Sequence, residues 1–325
     1  MDADSTDHAN GELAPALEHR LIEQERTLLF ERPHAGARKP YERDKPPPHV
    51  LEDRRILRAI RYIEAHLDRP LSLDRLAARA SLSTFHFQRR FQEVMGESPS
   101  EYIRRTRLDR AAIHLLIYPE SVLSIALSVG YSSHEAFIRA FHRQFALTPT
   151  QYRQFARQAS IPATAEEHRR ATDVQITHLP DLPLLGMRFY GSYARVAEHW
   201  RRFAEELQRI DYPLENARAI GAVTDNPEIT PNDLVRYDCA VVDLGLPIGN
   251  APLSRMTLPA GRYACLQHQA PYSQVFAAYR TLAVAWPERS GERFVPLGGY
   301  ELYRQPPWSS EDDMQYLDIA LGLEG

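Results

Sequence analysis

Between Ser121 and Phe145 the apolar positions fall into two short helical runs separated by one glycine. Leu123, Ala126, Leu127 and Val129 set small and apolar residues along one side of the first run. Gly130 follows the last of them, where a left-handed residue commonly ends a helix. Ser132 and Glu135 stand at capping-box spacing and predict the start of a second helix. On that helix Phe137, Phe141 and Phe145 recur every four residues as a stripe to be buried. His134, Glu135, Ile138, Arg139 and His142 fall off the stripe, toward solvent or a partner. A short helix, a glycine turn and a second helix with a polar, basic face make the build of a helix-turn-helix. The same pattern also fits a hairpin in any helical domain.

Recurrence separates the two readings. At an offset of 50 residues, Leu73 matches Leu123, Ala80 matches Gly130, Ser83 matches Ser133, Phe87 matches Phe137, Arg89 matches Arg139 and Phe91 matches Phe141. The register continues through Ser98-Pro99-Ser100-Glu101-Tyr102 against Thr148-Pro149-Thr150-Gln151-Tyr152. Each is an N-cap, a proline in the first turn and an acid or amide three residues after the cap. Leu108, Ala111, Ala112, Leu115 and Leu116 lie within the long helix predicted after Pro99, which spaces the two units. A repeat of this length with matched caps marks a duplicated structural unit.

With those residues in place, the span from about Arg54 to Arg157 resembles the DNA-binding domain of AraC/XylS-type bacterial transcription regulators. The matching segments are Ala126-Leu-Ser-Val-Gly-Tyr-Ser-Ser133, Phe137-Ile-Arg-Ala-Phe141 and Thr148-Pro-Thr-Gln-Tyr-Arg153. The resemblance implies double-stranded DNA as a partner, read by one helix of each unit in two successive major grooves. It places Phe85, Gln88 and Arg89 of the first reading helix (Ser83 to Met95) at base-contacting positions. In the second (Ser133 to Phe145) the corresponding residues are His134, Glu135 and Arg139. Glu135 departs from an amide common there; its carboxylate could accept from a cytosine amino group or cap the helix, and the cap is favoured. RNA polymerase contact and homodimerisation are left open.

Charge changes the picture more than composition does. The formal net charge of −4 conceals a division. Residues 53–157 carry 17 Arg and no Lys against 10 acids, whereas residues 172–325 carry 13 Arg against 20 acids. The positive part is where counterion release from phosphates would supply affinity. Residues 1–52 are acidic and proline-rich, ending near Lys45-Pro-Pro-Pro48, and read as a flexible tail with one transient helix between Glu12 and Arg32, or as a docking segment. Ile56, Ile60 and Ile63 predict the inward face of an opening helix, with Arg55, Arg58 and Arg61 solvated. Residues 158–172 lack a sustained apolar period and read as a linker. Cys239 and Cys265 have no ligand spacing, so no metal and no cofactor are expected. No apolar run approaches membrane-spanning length and no signal-like start is present, which predicts a cytoplasmic protein; the resemblance to bacterial regulators implies a place on the nucleoid.

From Val174 the period shortens to alternation broken by Pro and Gly. Strands are predicted at 174–178, 185–190, 219–223 and 237–244, with a helix at Val196–Leu207. The order then repeats: strand 262–267, helix 272–286, strands 295–303 and 314–321. Gly191-Ser-Tyr-Ala-Arg-Val196 matches Ala270-Pro-Tyr-Ser-Gln-Val275 as helix starts. The fold class expected is therefore an all-helical double helix-turn-helix domain (53–157) followed by an α+β domain of two βαββ repeats (173–325), with a cleft between the repeats.

This second half resembles the GyrI-like small-molecule-binding domain, on the repeat and on Gly299-Tyr-Glu-Leu-Tyr303. The resemblance implies a small effector, lipophilic or cationic, met by a strand carboxylate that corresponds to Glu301. Strand parity puts Glu301 and Tyr303 on one face and Tyr300 and Leu302 on the other, and a carboxylate among aromatic rings suits a flat cation. Candidate pocket walls are Tyr193, Trp200, Tyr263, Tyr279, Trp308 and Tyr316, with Trp200 and Tyr279 also on inward helix stripes. Glu301 could instead point to water. The function expected is a DNA-binding regulator, not an enzyme, with an effector-sensing second domain. The alternatives are a small-molecule hydrolase using Glu301 as base, though no nucleophile–base pair is visible, or a pure protein-interaction module.

Overall fold

The computed structural model describes residues 45–158, 161–309 and 314–325; the helix expected between Glu12 and Arg32 lies outside them. The first domain is helical. Helix α1 (Arg54–Ala65) starts where the Asp53 carboxylate accepts from the Arg55 and Ile56 amides, and it buries Ile56, Leu57, Ala59, Ile60 and Ile63. Helices α2 (Leu73–Ala80) and α3 (Thr84–Met95) complete the first unit around Phe87 and Phe91. Helix α4 (Pro99–Ile117) opens with a full capping box, Ser98 and Glu101 each satisfying the other's backbone amide. It spaces the second unit, built from α5 (Val122–Ser128), α6 (His134–Phe145) and α7 (Pro149–Gln158).

The second unit departs from the sequence pattern at three points. The cap of α6 is Ser133 rather than Ser132: its hydroxyl accepts from the Ala136 amide and donates to the Glu135 carboxylate at 2.9 Å. In α5 the inward residues are Ile125, Ala126 and Val129, while Leu123 and Leu127 are 48% and 53% exposed. A helix this short can turn only one narrow face to the core, and a residue step of 100° puts Leu123 and Leu127 outside it. Ile138, expected off the stripe toward solvent or a partner, packs half-buried against the second unit's core. Gly130 adopts φ +86°, and a Cβ there would lie 2.2 Å from the Leu67 carbonyl oxygen, so only glycine fits this turn.

The second domain is one eight-stranded antiparallel sheet: β1 (Gln175–Leu179), β2 (Leu182–Tyr190), β3 (Ala219–Val223), β4 (Arg236–Val242), β5 (Ser254–Leu258), β6 (Gly261–Pro271), β7 (Phe294–Tyr303) and β8 (Met314–Leu323). The order β1-β6-β8-β7-β3-β4-β2-β5 is symmetric about the β7–β3 junction, with each half contributing its leading strand to the other. The repeat is thus a strand longer than the pattern indicated. The additional strand β5 is an edge strand whose alternation is masked by Ser, Arg and Thr. Helices α9 (Val196–Gln208), α10 (Val275–Arg280) and α11 (Trp286–Ser290) cover one face, α10 and α11 being joined by a wider turn at Thr281–Ala285.

Three expectations about the connecting regions change. The segment 158–172 holds a helix, α8 (Ala165–Arg170), capped by Thr164 and Glu167, and Glu167 also accepts from Arg280 at 2.7 Å. Residues 45–52 are not a free tail: Leu51 is fully buried in the first helical core, and Val50 bridges to Phe189. Arg61 is not solvated but makes two bonds to Asp238 of β4, at 2.7 and 2.8 Å. The contacts of Glu167, Leu51, Val50 and Arg61 are with residues distant in sequence, which no local period reveals, whereas the start of α8 is a local capping box.

The two domains are docked through both helix-turn-helix units. Tyr190 of β2 belongs to the core of the first unit, and Ile229, in the loop after β3, to that of the second. Between them Glu64 of α1 receives Arg188 at 2.9 and 3.2 Å, Arg236 at 2.6 Å and the Tyr102 hydroxyl at 2.9 Å. Arg188 is held by Asp238, and Arg236 by Asp225.

Candidate nucleic-acid interface and effector pocket

The reading faces are set by the buried stripes opposite them. With Phe87, Phe91 and Met95 buried, α3 turns Phe85, Gln88 and Arg89 outward, and Phe85 is 71% exposed. Arg89 pairs with Glu93 at 3.3 Å, but both side chains are mostly exposed, so the pair is weak and opens at little cost. On α6 the buried Phe137, Phe141 and Phe145 leave Glu135 and Arg139 exposed, with His134 half-buried at the first turn. The Ser133 hydroxyl bond to Glu135 fits the capping role favoured for that carboxylate. The described residues of the acidic domain leave Phe85, Gln88, Arg89, Glu135 and Arg139 exposed.

Glu301 lies on the inner face of the sheet, fully buried under the helices. Four phenols donate to its carboxylate: Tyr237 at 2.6 Å, Tyr272 at 3.0 Å, Tyr303 at 3.0 Å and Tyr279 at 3.2 Å. Among the described residues no Arg, Lys or His pairs with it. Burial pushes the carboxyl above its ordinary range, and the tyrosine bonds pull partly back. Burial and the neighbouring carboxylate hold all four phenols protonated, well above the usual tyrosine range. Room for this cluster depends on Gly221, whose position on β3 pairs with Glu301; a Cβ there would fall 2.0 Å from the Tyr237 hydroxyl. A cavity of about 160 Å³ opens onto the carboxylate, lined by Tyr193, Tyr272, Phe276 and Tyr279 among others.

Of the residues expected as walls, Tyr193 and Tyr279 line this cavity. Trp200 does not; its indole N–H donates to the Tyr303 hydroxyl at 3.2 Å, behind the tyrosine cluster. Trp308 meets Trp200 at a tilt, ring centroids 5.9 Å apart, and is one layer further out. Tyr263 lies on the opposite face of the sheet, packed against Tyr300. Tyr316 shares the parity of Asp318 and Ala320 and faces the same way. An aromatic residue in a strand signals packing, and only its register decides which face it packs on.

Tyr237 and Tyr272 were not singled out by sequence. Tyr272 was legible, because it occupies in the second repeat the place of Tyr193 in the first. Tyr237 sits between the outward-facing Arg236 and Asp238, an alternation that puts the phenol inward. Among the described residues, no helix is long and apolar enough to cross a membrane, and no cluster of three or more His, Cys, Asp or Glu could hold a metal.

Residues 76–154 match the helix-turn-helix domain model of AraC type, and residues 172–324 match the GyrI-like small molecule binding domain. The chain is 36% identical over 156 residues to the right origin-binding protein of Escherichia coli K12, covering 45% of this chain and 51% of that protein. It is 36% identical over 150 residues to the transcriptional regulator Rob of Salmonella typhimurium, with the same coverage. Against the regulatory protein SoxS of E. coli K12 it is 38% identical over 94 residues, 29% of this chain and 88% of that one. The chain spans about half the length of the first two relatives and most of the third. It belongs to the AraC family of helix-turn-helix transcriptional regulators, and it carries a GyrI-like small-molecule binding domain after its DNA-binding domain.

Proposed function

We propose that this protein is a transcription regulator that reads DNA with α3 and α6 and senses a lipophilic organic cation through Glu301. The DNA reading draws on the duplicated unit, the positive charge of residues 53–157 and the exposure of Phe85, Gln88, Arg89, Glu135 and Arg139, with His134 at the edge of the surface. One chain carries both reading helices, so the reading requires no second copy. The relatives named as regulators support it.

The observation that carries the effector reading is a carboxylate fully buried among neutral phenols with no basic partner among the described residues. A charge so placed is costly unless a counter-ion arrives. An organic cation supplies the missing charge, and rings such as Tyr193 and Tyr279 offer it π faces. At about 4 Å and an effective dielectric near 20 the attraction is about 4 kcal/mol. Part is spent on stripping water from the cation, which leaves roughly a 100-fold effect on affinity.

The test is a titration of the full chain with tetraphenylphosphonium, followed by tryptophan fluorescence. Saturable quenching that is lost in Glu301→Gln supports the reading. Quenching of equal affinity in the variant refutes it, turnover of an ester probe favours the hydrolase alternative, and no binding at all favours an interaction module. For the DNA side, selection of bound fragments from a random pool supplies the operator.

A further inference from the structure

The cavity on Glu301 is not walled by the second domain alone. Ile113 and Ile117, from the last two turns of α4, line it as well. That helix spaces the two helix-turn-helix units. Its end is fixed to the start of β7, where the Tyr118 hydroxyl donates to the Phe294 carbonyl and Glu120 pairs with Arg293 at 2.7 Å. The opposite wall is the loop after β3, with Thr224, Asp225 and Asn226. Three residues further, that loop buries Ile229 in the core of the second unit. Both walls therefore continue into the DNA-binding domain.

Volume gives these walls a consequence. A cavity of roughly 150 Å³ holds a single benzene ring, and this one is about 160 Å³. A single-ring cation fits without rearrangement. A larger cation reaching Glu301 extends beyond this volume and presses on the walls around it, of which the sheet side is held by paired strands (β3 with β4 and β7). The yielding side is the domain boundary at Ile113 and Ile117, where Ile117 is 45% exposed.

We propose that the effector site is a two-domain site, in which α4 forms the wall that selects effector size and reports occupancy to the second helix-turn-helix unit. This rests on the cation reading of Glu301 and adds to it where the ligand touches the DNA-binding domain. By reciprocity, a multi-ring cation and operator DNA alter each other's affinity by the same factor, whereas a single-ring cation leaves DNA affinity unchanged.

The test uses the full chain, with tetraphenylphosphonium as multi-ring probe and phenyltrimethylammonium as single-ring probe, each titrated by calorimetry. Ile117 is exposed, so charged substitutions there are compatible with folding, which circular dichroism verifies. Ile117→Lys is expected to weaken tetraphenylphosphonium binding about fivefold, and Ile117→Glu to strengthen it by a similar factor, as for a charge about 10 Å from the cation. Ile113→Ala/Ile117→Ala is expected to shift preference toward the multi-ring probe by about tenfold, because it removes the wall. If Glu301→Gln abolishes binding while both charged variants at 117 bind like wild type, the two-domain site is overturned and the cation reading stands. If wild type does not bind, or Glu301→Gln binds normally, the cation reading itself fails. Opposite shifts in the two charged variants support the proposal, and so does a change in affinity for a selected DNA fragment caused by the larger cation only.

Discussion

Removing the Glu64 carboxylate tests whether the two domains are energetically one body. Glu64 sits in α1, yet its charge partners, Arg188 and Arg236, are strand residues of the other domain and almost fully buried. With Asp225, Asp238 and Arg61 they form a neutral set of three acids and three arginines. Glu64→Ala leaves that set with one uncompensated positive charge and takes one partner from each buried guanidinium and from the Tyr102 hydroxyl. Deleting one member of a buried ion pair typically costs about 3–5 kcal/mol. Arg188 and Arg236 each keep a two-point grip on an aspartate, which places the expected cost near the lower end. All three tryptophans, Trp200, Trp286 and Trp308, lie in the second domain. Their fluorescence during urea unfolding therefore reports on the domain that Glu64 does not belong to. At about 2 kcal/mol per molar urea, a loss of about 3 kcal/mol moves the midpoint down by roughly 1.5 M. Glu64→Gln, which keeps an acceptor, should lose about half as much. A tryptophan midpoint within 0.3 M of wild type for Glu64→Ala, a shift of about 0.6 kcal/mol at that slope, would refute the coupling.

Four further outcomes are expected. Arg89→Ala or Arg139→Ala should each cost roughly 1–3 kcal/mol against a selected operator and relax discrimination at one or two base pairs; equal losses on random DNA would make these arginines phosphate contacts. Glu301→Gln should raise the melting temperature of the ligand-free protein at neutral pH. The raised carboxyl means the folded state takes up protons more readily than the unfolded, so wild type loses stability as pH rises from the ordinary carboxylate range through the folded value, and the variant should lack that dependence. His114, on α4, is held down to about 4 by burial and by Arg110, with Glu120 opposing. Its folded form binds fewer protons than the unfolded, so stability should fall between pH 7 and 4 and level off below. The contribution, discounted for its partial exposure, is about 1–2 kcal/mol, and comparing the pH profile of His114→Gln checks it. Gly130→Ala should destabilise the helical domain by about 2–4 kcal/mol in thermal unfolding followed by circular dichroism, since it adds left-handed strain to a clash with the Leu67 carbonyl; a loss below 1 kcal/mol would contradict the geometry.

The helical domain was legible because its signals are local. Phe87 and Phe91, Phe137 and Phe141, the caps at Ser98 and Thr148, and the glycine turn all depend on neighbours within four residues. The βαββ repeat was legible for the same reason, apart from β5, an edge strand rich in polar residues. The proposed effector pocket was only half legible. Glu301 and Tyr303 share a parity that sequence fixes, and Tyr193 and Tyr279 sit on helices facing them. Tyr263 and Tyr316 have strand parities that place them on the far face, and only the pairing register of the sheet decides which face holds the cavity.

By itself, then, the chain's pattern determined two helical reading units, their spacing helix and a twice-repeated sheet domain, since short-range periodicity and capping specify each element. The tertiary structure alone decided what those elements meet. It brought Tyr237, Tyr272, Tyr279 and Tyr303 onto one carboxylate, carried Glu64 to Arg188 and Arg236, and set Ile113 and Ile117 against the pocket. The bonds among these residues span 22 to 172 positions, apart from Tyr303 beside Glu301. Charge pairing and cavity shape at that range depend on how domains dock, which no periodicity along the chain encodes.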